Sequence, residues 1–153
     1  MKIFIVENNH REISYARLAI EKFGHEIVEC ENHSEWFIEE DRKPFSINIP
    51  DGVDGVITDL MFHLSPYYKE KTETPSGLLV VIEALSKSLP VVICTSGAGG
   101  GHHSESMSWI FDGFIRARRD DNHPPFGWEE EKNWFNAVKL LEQIHAQQNG
   151  GGE

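Results

Sequence analysis

Three short runs, Ile3 to Val6, Val56 to Thr58 and Val91 to Cys94, are β-branched and apolar almost without interruption. A strand with one wet face alternates apolar and polar residues, whereas an unbroken run suits a strand covered on both faces, as in a parallel sheet. Each run stops abruptly at polar residues: Glu7-Asn8, Asp59 and Thr95-Ser96. A buried strand that ends in sudden polarity marks the carboxyl edge of an open α/β sheet, the edge where such sheets bind ligands.

Helical patterns separate the strands. Arg11 to Phe23 carries an apolar stripe at helical spacing and is stopped by Gly24. His25 to Cys30 reads as a second strand, and Ser34 can cap a short helix to about Glu40. Gly77 to Ser88 reads as a helix ended by Pro90. Phe114 to about Ala117, after Asp112-Gly113, is the expected fifth strand, and a last helix is expected from Trp128 or Glu129 to Gln147. The acidic start of that last segment matches the helix dipole, and Trp134, Phe135, Val138, Leu141 and Ile144 supply its apolar face. Strand and helix alternation closes most naturally as a doubly wound α/β sandwich of three layers, with a five-stranded parallel sheet of order 2-1-3-4-5. One domain over residues 1–148 is expected, with 149–153 as a frayed tail.

In that topology the tips of the first, third and fourth strands meet, bringing Glu7, Asn8, Asp59 and Thr95 to one cleft. Two carboxylates and an amide held together call for a cation, and an all-oxygen set suits Mg²⁺. A carboxylate beside such a cation and a hydroxyl is suited to accepting a phosphoryl group. Charge narrows the partners: 14 Lys and Arg against 25 Asp and Glu give a net charge of -11, which argues against a phosphate-backbone binder. No apolar run approaches the ~20 residues that span a bilayer, so a cytoplasmic protein without membrane contact is expected. Cys30 and Cys94 read as buried thiols.

At these residues the chain resembles the receiver domains of two-component response regulators. MKIFIVENN is similar to their first strand and acidic pair, and DGVITDLMF to their third strand with its phospho-accepting aspartate. PSGLLVVIEAL resembles their Gly-led helix, and LPVVICTSG their fourth strand with its switch residue. The resemblance implies a flavodoxin-like fold and phosphorylation of Asp59 by a histidine kinase or phosphotransfer protein. It implies Mg²⁺ held by Glu7, Asn8, Asp59 and the Met61 carbonyl. Thr95 is then the switch residue, Phe114 the aromatic that follows it, and the output a contact with a downstream protein rather than turnover as an enzyme. No output domain follows the last helix, so a stand-alone signalling protein is expected.

Three departures accompany the resemblance. The second member of the acidic pair is Asn8, which weakens the metal set. In GFIRARRDD, Ala117 falls where the family has a lysine that pairs with the phosphoryl group, and Arg116 or Arg118 can replace it only through a register shift or bulge. Residues 60–76 and the Gly/His-rich stretch 97–103, with His102 and His103, are longer or less regular than the pattern. Asn8 and Ala117 together leave open a second reading, a phosphorylation-independent pseudo-receiver that acts as an interaction module.

Overall fold

In a computed structural model of the chain, the structure describes residues 1–29, 48–60, 76–95, 126–129 and 131–150. The expected helix at Ser34 to Glu40, Cys30, Met61, the Gly/His stretch, Phe114, Ala117 and the three arginines that follow Phe114 lie outside these residues.

Five strands form one parallel sheet: β1 (Lys2–Val6), β2 (Glu26–Glu29), β3 (Gly55–Thr58), β4 (Val91–Cys94) and β5 (Phe126–Glu129). Their order is β2-β1-β3-β4-β5, the doubly wound order expected from the sequence. Register places Val6 opposite Thr58 and Thr58 opposite Ile93, so β1, β3 and β4 end side by side.

Three helices are described: α1 (His10–Lys22), α2 (Gly77–Ser86) and α3 (Trp134–Gly150). Alternation along the central strands splits the core into two layers. Ile3, Ile5, Ile57, Val92 and Cys94 pack against Ala16, Ala19 and Ile20 of α1 and Trp134, Val138 and Leu141 of α3. Phe4, Val6, Val56, Val91 and Ile93 pack on the other face against Val80, Val81, Ala84 and Leu85 of α2. Both faces of β1, β3 and β4 are therefore covered, which is why these strands read as unbroken apolar runs. No helix among the described residues is long and apolar enough to cross a membrane.

Three expectations are corrected here. The strand β5, beside β4, is Phe126–Glu129, paired through Val91–Phe126 and Cys94–Glu129, in the place expected for Phe114 to Ala117, which lie outside the described residues. The last helix starts at Trp134, because Trp128 and Glu129 are spent in that strand. Physically, Phe126 and Trp128 alternate around Gly127, a period of two. Gly127 also admits α3: a Cβ there would sit 2.8 Å from Leu140 Cδ2 and 2.9 Å from Ile144 Cδ1. Asn133 then opens the helix, its Oδ1 accepting from the Asn136 N–H at 3.2 Å. At its far end α3 continues to Gly150, so Asn149 is helical rather than the first residue of a tail.

Candidate functional site

The site forms where β1 and β3 end. Glu7 follows β1 and is buried; its Oε1 accepts the Asn9 N–H at 2.9 Å, and Asn9 caps α1 by accepting the Arg11 N–H at 3.0 Å. Asp59 follows β3, its N–H bound to the Val6 carbonyl at 2.8 Å, which locks the two strand ends together. Asp59 Oδ1 accepts the Leu60 N–H at 2.7 Å, and Thr58 Oγ1 donates to the Asp59 carbonyl at 2.8 Å.

Helix α2 starts directly against this strand end. The Gly77 N–H donates to the Leu60 carbonyl at 2.9 Å. A Cβ on Gly77 would collide with the Asp59 carbonyl oxygen and lie 2.8 Å from Leu60 Cα, so only glycine permits this approach.

A cation reaches the two acids from Lys132. Its Nζ lies 2.8 Å from Glu7 Oε2 and 2.9 Å from Asp59 Oδ2, with the lysine side chain 14% exposed and the acids 0% and 8%. A bulge delivers it. The Thr95 N–H donates to the Glu129 carbonyl at 3.0 Å, but the Thr95 carbonyl accepts from Lys132 at 3.1 Å, one residue beyond the partner a regular parallel ladder would use. Lys132 itself has φ of 52°, left-handed backbone that costs a non-glycine residue about 1–2 kcal/mol. The ion pairs and the Thr95 hydrogen bond hold it there.

Electrostatics follow from burial. Desolvation, and then the neighbouring Asp59 charge, push the Glu7 carboxyl above its ordinary value, with Lys132 pulling the other way. For Lys132, burial favours the neutral amine, but Asp59 and Glu7 outweigh it and the ammonium is held above its ordinary value. Cys94 is a free, buried thiol, pushed upward by desolvation.

Of the residues singled out from the sequence, Glu7 and Asp59 meet around Lys132. Asn8, half-buried, adjoins Glu7, and Thr95, buried, ends β4 and holds the Lys132 backbone. Met61 and Phe114 lie outside the described residues. Sequence reasoning missed Lys132; the signal available was the alternating Phe126-Gly127-Trp128 followed by a lysine just before the helix-opening Asn133.

Glu7 and Asp59 are two oxygen donors of the type a hard cation takes, and Lys132 stands between them. Glu7 Oε2 is fully buried and its partner is the Lys132 ammonium at 2.8 Å, so a hard cation would share this oxygen with the lysine or displace it; no cluster of three or more His, Cys, Asp or Glu is gathered among the described residues.

An open, doubly wound sheet with two acids and a lysine gathered at its carboxyl edge is thus what the chain builds. No protein-family model matches it, and no curated protein matches its sequence. Among solved structures it is similar to a phosphorylated cyanobacterial phytochrome response regulator, RcpA, at 18% identity and a TM-score of 0.47, over 99% of this chain and 96% of that one.

Proposed function

We propose that the chain is a receiver-like signalling module that accepts a phosphoryl group on Asp59 and passes the change to a protein partner. The observation that carries this reading is the Lys132 ammonium 2.9 Å from the Asp59 carboxylate, within a site that also holds Glu7. An aspartate kept only to cap a turn does not need a lysine brought in on a strained bulge.

In the proposed reaction an Asp59 oxygen forms a P–O bond as the P–N bond of a phosphohistidine breaks. The electron pair leaves on the imidazole nitrogen, which takes a proton from water. Lys132 counters the negative charge that gathers on the phosphoryl oxygens. Glu7, Asn8 and Asp59 are the described residues that would hold Mg²⁺, which when bound neutralises phosphoryl charge. Thr95 contributes a hydroxyl at the end of β4 and the carbonyl that holds the Lys132 backbone, so a shift at Thr95 would be felt by the lysine.

Incubation with phosphoramidate and Mg²⁺, followed by intact-mass measurement, tests the reading. The expected result is one added phosphate, lost in Asp59→Asn; no mass gain at saturating donor overturns it. Asn8 in the acidic pair is the observation that favours the pseudo-receiver instead. That reading requires a partner complex indifferent to both Asp59→Asn and beryllofluoride.

A further inference from the structure

Glu7 holds two segments at once. Its Oε1 receives the Asn9 N–H at the cap of α1, and its Oε2 pairs with Lys132. Within the first turn of α1, Glu12 Oε2 accepts the indole N–H of Trp134 at 2.9 Å. Trp134, the first residue of α3, is buried in the core layer it shares with α1 and stands two residues after Lys132. A closed ring results, running from Glu7 through the α1 cap to Glu12, across to Trp134, back along the chain to Lys132 and so to Glu7.

Lys132 is fixed at its amide by Thr95, in a backbone conformation that a lysine does not adopt unaided. On its other side only Asn133 separates it from Trp134, so the seat of the indole sets the direction from which the lysine enters the pocket. We propose that Glu12 is a positioning residue for Lys132, anchoring Trp134 so that the ammonium stays between Glu7 and Asp59.

Simple satisfaction of a buried indole N–H is the competing account, and it makes a different claim. Under it, loss of Glu12 lowers stability and leaves Lys132 where it is. Glu12, Lys132 and Trp134 all line one open groove of about 400 Å³, so a released ammonium would emerge into solvent there.

The first arm of the test needs no phosphorylation. The folded protein is treated with an N-hydroxysuccinimide acetate, and acetylation of Lys132 is followed by peptide mass mapping. Glu12→Leu and Trp134→Phe, which break the hydrogen bond in two independent ways, should raise the Lys132 labelling rate about tenfold as the amine trades two carboxylates for water. Glu12→Gln keeps an acceptor and should label like the parent. Unchanged labelling in both breaking variants overturns the proposal.

The second arm rests on the phospho-acceptor reading. Glu12→Leu should slow phosphate uptake from phosphoramidate about tenfold in the parent, yet not slow it further in a Lys132→Met background, because residues acting through one group are not additive. Equal slowing in both backgrounds overturns the proposal. Absence of any phosphate uptake by the parent, with Lys132 labelling as expected, defeats the function reading and leaves the positioning role standing.

Discussion

Glu7 and Asp59 ride on strands buried at every residue from Ile3 to Val6 and from Gly55 to Thr58. Lys132 arrives at the same point from β5, where Gly127 alone of four residues is buried. The acidic side of the pocket is anchored by regular ladders and a strand-to-strand hydrogen bond, Asp59 N–H to the Val6 carbonyl. The cationic side hangs on a bulge, a left-handed residue and two backbone hydrogen bonds to Thr95. The difference teaches what each half of the site depends on: the acids on the core strands, the lysine on its backbone hydrogen bonds and on the acids themselves.

Removing the lysine breaks that comparison most severely. Lys132→Met strands two buried carboxylates without a cation, and a loss of about 3–5 kcal/mol at neutral pH is expected in denaturant melts. The loss should shrink on acidification, as Glu7 takes up a proton. Lys132 stabilises the fold fully below its ordinary value, and that contribution fades as pH climbs through its raised folded value.

On the rigid side, Gly77→Ala drives a methyl group into the Asp59 carbonyl. It should cost about 1–3 kcal/mol by the same melts. An undiminished midpoint would show that the start of α2 is softer than the strand ends it meets.

Glu7→Gln is the mildest and carries the opposite sign. Because burial raises the Glu7 carboxyl, the native state holds more protons than the unfolded chain between the ordinary value and the raised one, so stability falls as pH rises through that window. A neutral isostere removes this penalty and leaves Lys132 paired with Asp59. The variant should be as stable as the parent or more so, by on the order of 1 kcal/mol at pH 7, with a flatter pH profile.

The same contrast explains what could be read from the sequence. Strands β1, β3 and β4 are covered on both faces, so their apolar runs announced them, and the polar residues after them gave Glu7, Asp59 and Thr95 directly. The edge strand β5 carries a glycine and two half-buried aromatics before an acidic run that imitates the first turn of a helix. Phe114 to Ala117 looked more like a strand than Phe126–Glu129 did, because hydropathy weighs Ile115 and Phe114 and cannot see that Gly127 makes room for Leu140 and Ile144. A bulge leaves no mark in composition, and a left-handed lysine contradicts every local preference. The cation at Asp59 was for that reason the part of the site hidden from the sequence.

A crystal structure of the protein treated with Mg²⁺ and beryllofluoride tests the central assignment most directly. The account predicts an adduct on Asp59 with Lys132 Nζ drawn off Glu7 and onto the fluoride. An unmodified Asp59 with Lys132 still bridging both acids, or an adduct met by Arg116 or Arg118 instead, would contradict it.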